Sequence, residues 1–194
     1  MDLRIDVEVR AVRDAVRKGL HRDLVEIDHR PAATPEDLLD GINEIRPHVI
    51  HFAGHAGDAG VLFDDAEIEV GDSSDGRGRW VSFELLGRAV AATDTPPTML
   101  VLNACDTLAG GEALLGMVPV LVGTATALSD SAATVFAARF YAAIASAQSV
   151  ASALEQGRVA VDGAELGEGS KIRALARDDV DPSQLVLVRP ATTE

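Results

Sequence analysis

His48-Val-Ile-His-Phe-Ala-Gly-His-Ala-Gly57 and Met99-Leu-Val-Leu-Asn-Ala-Cys-Asp-Thr107 decide the fold. Each opens on a near-continuous apolar run, Val49 to Ala53 and Met99 to Leu102. Runs of this length, without polar alternation, predict strands buried on both faces, as in a parallel sheet covered by helices. Each ends in small or polar residues, which turn the chain out of the sheet. A single helix, after a hairpin and a loop, connects the two runs. A right-handed crossover makes them neighbours in the sheet.

Working outward, strand and helix signals alternate. Ile5, Val9, Val12, Val16 and Leu20 step at helical spacing, which predicts a helix from about Asp6. Leu24 to Ile27 is a short apolar run. Thr34-Pro-Glu-Asp37 reads as a helix start, with a capping hydroxyl, proline at the first position and two acids at the positive end of the dipole. Leu38, Leu39, Ile42 and Ile45 continue that helix until Pro47 stops it. Val61 to Phe63 and Ile68 to Val70 read as a hairpin, and the Gly71 to Gly78 segment as an exposed loop. Ser82 caps a helix carrying Phe83, Leu86 and Val90. Val118 to Val122 is a third strand. Ser129 and Ser149 cap two further helices, and Leu185 to Val188 is a last strand. The expectation is an α/β fold with a mostly parallel, helix-covered central sheet, in one domain over residues 1–194.

Composition narrows the function. The chain has 194 residues, 17 basic against 31 acidic, a net charge of −14, 47% hydrophobic residues and 4% aromatics. That apolar fraction is enough for a real core. The acidity disfavours nucleic acid and anionic membranes as partners, because both require a basic face. The scarce aromatics disfavour base-stacking platforms. One cysteine, Cys105, excludes an internal disulfide and any Cys-based zinc site. The charged start does not read as a signal peptide, and no apolar run approaches the ~20 residues that span a bilayer. The expectation is a cytoplasmic protein with no metal or cofactor.

Ligand sites in parallel sheets form beyond the carboxyl ends of the strands. His55 and Cys105 both lie there, on adjacent strands. Imidazole can generate a thiolate and later protonate a leaving amine, so the pair suits a cysteine nucleophile. A Gly-interrupted segment, Ala109 to Leu115, reads as a helix whose N-terminus favours the thiolate, while Asp106 opposes it. Gly54, Gly57 and Gly60 let backbone approach a substrate and offer N–H groups to an oxyanion. The plain alternative stays open at this point, since a lone cysteine after a strand is often a small apolar filler. His51, inside the first strand, reads as a core residue or one that supports the site from behind. His51 and His55 do not read as a metal pair, because i and i+4 stand side by side only on a helix, and the residue after His51 is Phe52 rather than a glutamate. The GxxGxxG spacing, followed by a strand, does not suit a dinucleotide cradle. His21, His29 and His48, and the acids at 64, 65, 178, 179 and 181, read as solvated surface or turns.

His51-Phe-Ala-Gly-His-Ala-Gly57 and Leu102-Asn-Ala-Cys-Asp-Thr107 together resemble the CHAT domain family of caspase-like cysteine peptidases. The 50-residue interval between His55 and Cys105 fits a caspase-type His-to-Cys separation. Similar stretches run through Val9–Arg13, Pro35–Leu39, Arg46–Ile50, Val118–Gly123, Ser129–Ala133, Phe140-Tyr141, Ser149-Val150 and Leu185–Val188. The resemblance implies a caspase-like three-layer sandwich and a Cys–His dyad. Cys105 attacks the scissile carbonyl, His55 serves as base and then acid, and the backbone N–H groups of Cys105, Ala56 and Gly57 stabilise the oxyanion. Ala56 stands where the family usually has glycine. The family also begins with an apolar strand between the Leu24 and Val49 runs. This chain starts too late to include it, which leaves residues 2–5 as a stub, another chain in the gap, or a natural start upstream of Met1.

The resemblance further implies an endopeptidase effector of a bacterial stress or defence system, acting on a protein substrate and switched on by a partner protein. Asp106 and Asp130 are candidate acids for a basic substrate side chain. The competing readings are a catalytically silent CHAT-like binding or scaffold module and, on the glycine loop alone, a flavodoxin-like nucleotide or phosphate sensor.

Overall fold

The computed structural model of the chain describes residues 4–57, 60–64 and 78–190. Its elements run α1 (Ile5–Val16), α2 (Pro35–Ile45), β1 (Val49–Ala53), β2 (Ala56–Gly57), β3 (Gly60–Phe63), β4 (Arg79–Val81), α3 (Phe83–Ala91), β5 (Met99–Asn103), α4 (Gly111–Leu115), β6 (Val120–Thr124), α5 (Asp130–Ile144), α6 (Val150–Gly163) and β7 (Ile172–Ala176). The helix starts follow local chemistry. Thr34 Oγ1 accepts from the Asp37 N–H while Asp37 Oδ2 accepts from the Thr34 N–H, a reciprocal capping box with Pro35 at the first position. Ser82, Ser129 and Ser149 each accept from the N–H three residues on. Arg46 closes α2 in the left-handed conformation, and Pro47 follows it.

The central sheet has the order β1-β5-β6-β7. β1, β5 and β6 are parallel, and β7 is antiparallel to β6. Its inner strands alternate between two cores. Met99, Val101, Val120 and Val122 pack with Phe136 and Phe140 of α5 and with Val150 and Leu154 of α6. Leu100, Leu102 and Leu121 pack on the other face with Phe83, Leu86 and Val90 of α3, Leu114 of α4 and Val61, Phe63 and Val81 of a small sheet, β2-β3-β4. The result is helices on both faces of a mostly parallel sheet, a three-layer sandwich. Fully burying a Phe136 or a Leu100 contributes about 1.5–3 kcal/mol each. Gly157 permits the close approach of α6 to α5, since a Cβ there would meet Phe136 Cδ2 at 2.5 Å.

Several sequence expectations change. The closing strand is β7, not Leu185 to Val188. Leu185, Leu187 and Val188 pack on the core without sheet pairing, and the carbonyls of Leu185 and Pro182 accept from the first N–H groups of α6. A terminal apolar run is equally able to cover a core, whereas Ile172-Arg-Ala-Leu-Ala176 carries little β-branched character to announce a strand. Leu24 to Ile27 forms no strand. Arg22–Leu24 is a 3-10 turn, and Leu24 is exposed. β1 is half-buried throughout rather than buried on both faces, because it lies at the edge of the sheet among the described residues. Ile5 already begins α1, so residues 4 and 5 give no strand stub, and residues 2 and 3 lie outside the described residues. Ile68 to Val70, the second arm of the expected hairpin, lies outside them too, as does most of the Gly71 to Gly78 loop. Val61 to Phe63 belongs to β3, paired with β2 on one side and β4 on the other.

Candidate active site

The parallel register of β1 and β5 aligns Ala53 with Asn103. His55 and Cys105 each stand two residues beyond that pair. Adjacent strands lie about 4.8 Å apart, so the two loops leave the sheet side by side. His55, which is exposed, and Cys105, which is half-buried, line one cleft with a cavity volume of ≈ 50 Å³. Arg4 and Glu8 from the start of α1, and Asp130 from the first turn of α5, complete its walls. Cys105 is a free thiol.

The loop bearing Cys105 is tied down by two buried threonines. Thr107 Oγ1 donates to the Leu102 carbonyl at 3.3 Å and accepts from the Thr124 N–H at 2.9 Å. Thr124 Oγ1 donates to the Ala104 carbonyl at 2.5 Å. Asp106 takes the left-handed conformation, φ 53°, which turns the chain sharply after Cys105. Aspartate tolerates that region better than most residues. The helix expected over Ala109 to Leu115 is split into a 3-10 turn, Thr107–Gly110, and the five-residue α4, so the dipole it brings to Cys105 is small.

A polar network supports the cleft from behind. Glu8 is buried in α1, with 7% of its surface exposed. Its Oε1 accepts from Asn103 Nδ2 at 2.9 Å and lies 2.9 Å from His51 Nε2. The latter contact is off the N–H direction, so it is an electrostatic contact rather than an aligned hydrogen bond. His51 Nδ1 is 2.8 Å from the Tyr141 hydroxyl, and Asn103 also donates to the Ala133 carbonyl of α5. Burial first, and the Glu8 charge second, push the Tyr141 phenol up. Glu8 thereby ties the end of β5 to α1 and sits against the middle of β1. His51 stands half-buried inside β1 between Glu8 and Tyr141, outside the lining of the cleft. The sequence reading missed Glu8, although a carboxylate one turn from Ile5 and Val12 was an available signal; Thr107, Thr124 and Tyr141 gave no comparable signal.

The remaining expected residues separate. Asp130 lines the cleft, but Asp106 is not part of its lining. Asp130 stands next to Ser129, whose hydroxyl donates to Glu168 Oε1 at 2.5 Å. Lys171, and then Ser129, hold the Glu168 carboxyl below its ordinary value. Ala56 and Gly57 form β2, opposite Val61 and Gly60. Ala56 therefore has extended backbone and makes no demand for glycine. The Leu62 N–H donates to the His55 carbonyl, so the antiparallel alternation turns the Ala56 N–H away from β3. Among the described residues, no group of three His, Cys, Asp or Glu is placed to hold a metal ion. Among them, no helix is long and apolar enough to cross a membrane.

The family model for the CHAT domain matches residues 4–166. The chain belongs to the CHAT domain family. CHAT domains are related to caspase-like cysteine peptidases, and the matched span of this CHAT domain includes α1 with Glu8, both site loops and the start of α5. β7 lies beyond it. No curated protein matches this CHAT domain.

Proposed function

We propose that this CHAT domain is a cysteine endopeptidase with Cys105 as nucleophile and His55 as general base and then general acid. One observation carries the reading: the two side chains line the same cleft at the carboxyl ends of adjacent parallel strands. Cys105 Sγ adds to the scissile carbonyl as His55 takes its proton. The Ala56 N–H, left free by the β2–β3 ladder, and the Cys105 N–H serve the oxyanion. His55 then returns the proton to the leaving amine, and water hydrolyses the thioester. Gly57, expected as a further donor, pairs with Gly60, and the same alternation turns its N–H toward β3 and away from the oxyanion.

The substrate is a protein segment with a basic side chain received by Asp130. That acid lines the cleft in a chain of net charge −14. The enclosed part of the cleft, ≈ 50 Å³, has room for a few waters. A cleft this narrow suits a resting form that a partner protein opens, with a regulated role in the cytoplasm, as in a bacterial stress or defence response. The same small cavity is the observation that favours the second reading, a silent binding module. Cleavage of a peptide library by wild type, abolished in Cys105→Ser and His55→Ala, supports the peptidase. A partner captured equally by wild type and Cys105→Ser, with no cleavage by either, supports the binding module and overturns it.

A further inference from the structure

The outer face of the small sheet carries a row of side chains that starts at His55. The register pairs Ala56 with Val61 and Val61 with Val81, and pairs Leu62 with Trp80. The Leu62 N–H donates to the His55 carbonyl at 2.9 Å, which extends the ladder by one residue and sets His55 opposite Leu62. Residues directly opposite one another share a face, and neighbouring rows alternate. Val61 and Val81 are buried, so the Ala56 row faces the core and the row His55, Leu62, Trp80 faces outward. His55 is exposed, Leu62 is half-buried and Trp80 is 51% exposed.

Two strand spacings separate His55 from Trp80 along the row, about 10 Å. The indole reaches back across part of that distance. A Cβ built on Gly57 would lie 3.9 Å from Trp80 Cη2. Gly57 is two residues beyond His55 and therefore on the same face. The ring edge thus lies over the ground beside His55, and the bare backbone of Gly57 keeps that ground clear. Other exposed large apolar residues, such as Leu39 and Val159, sit on the helices α2 and α6 rather than on the small sheet.

We propose that Trp80, with Leu62, is a specificity-determining residue: together they form the apolar wall of a substrate subsite beside His55, for an aliphatic or aromatic side chain flanking the scissile bond. The inference rests on the dyad reading above. It adds that the substrate presents an apolar side chain as well as a basic one.

Trp80 is the chain's only tryptophan, so its fluorescence reports this subsite alone. The probes are two capped hexapeptides, each with one Arg, flanked in one by Leu and in the other by Ser. Titrated into the full-length Cys105→Ser protein, the Leu peptide should blue-shift Trp80 emission and saturate, and the Ser peptide should bind at least tenfold more weakly. Wild type should prefer the Leu peptide in kcat/KM. Trp80→Ala should collapse that preference, and Trp80→Phe, which keeps a ring, should retain most of it. Cleavage of both peptides at equal kcat/KM, with no shift in emission, overturns the subsite and leaves the dyad standing. A saturable shift with the Leu peptide but no cleavage keeps the subsite and favours the binding module over the peptidase. No shift with either peptide overturns the subsite, whichever peptide is cleaved. If Trp80→Ala fails to fold, Leu62→Ser takes its place and must weaken the preference for the Leu peptide for the proposal to stand.

Discussion

Thr107 holds the Cys105 loop through one hydroxyl that both donates and accepts in a fully buried setting. Thr107→Val keeps the shape but leaves the Thr124 N–H without its acceptor. The expected cost is about 1–3 kcal/mol, read by urea denaturation. Glu8→Ala should cost a similar amount, about 1–3 kcal/mol, because the Asn103 amide loses its carboxylate partner. Unchanged stability in Glu8→Ala would show that the network contributes nothing to holding α1 against the sheet. At this scale the sequence was readable where a residue carried an identity signal, as His55 and Cys105 did after apolar runs. It was unreadable where a role depended on a partner far along the chain. Thr107 meets Thr124, and His51 meets Tyr141, only once the sheet and α5 are assembled.

The elements differ in how they announce themselves. Helix starts were legible because a cap is local: Thr34, Ser82, Ser129 and Ser149 bond within three residues of themselves. β7 was not, because Ile172 to Ala176 becomes a strand by pairing with β6, a partner about fifty residues earlier. The same long-range logic fixes the start of α5. Glu168 accepts from the Ser129 hydroxyl and pairs with Lys171 at 2.7 Å, anchoring the turn from which Asp130 enters the cleft. Its carboxyl is held below the ordinary 4.5 by those partners. The stability it contributes is therefore complete above about pH 4.5 and is lost as pH falls through the lower folded-state value. Glu168→Gln should melt below wild type at pH 7, and the two melting temperatures should converge as the pH is lowered into the acid range. A difference that persists undiminished in acid would contradict the assignment. In the small sheet, Gly60 has φ 131°, and a Cβ there would sit 2.0 Å from the Val81 carbonyl oxygen. Gly60→Ala should distort the β2–β3–β4 sheet next to His55, with a loss of about 1–3 kcal/mol or more on thermal or urea denaturation.

Across the molecule, the three-layer arrangement was legible from the alternation of apolar runs with capped helices. The two cores then sort themselves by the odd and even residues of β5 and β6. The arrangement has a functional consequence. A parallel β1–β5 pair sends two consecutive strands out of the sheet at the same end, and α1 and α5 close the space above them with Glu8 and Asp130. The net charge of −14 acquires a local meaning there, since two of those acids line the cleft. The cleft's small volume had no sequence signal, because it depends on how closely α1 and α5 approach the loops. The central claim, that His55 activates Cys105, has one direct test. Cys105 is the only thiol, so the rate of alkylation by an iodoacetamide probe at pH 7 reports on it alone. The account predicts that wild type reacts on the order of tenfold faster than His55→Ala, with no labelling of Cys105→Ser. Equal rates in wild type and His55→Ala would contradict it.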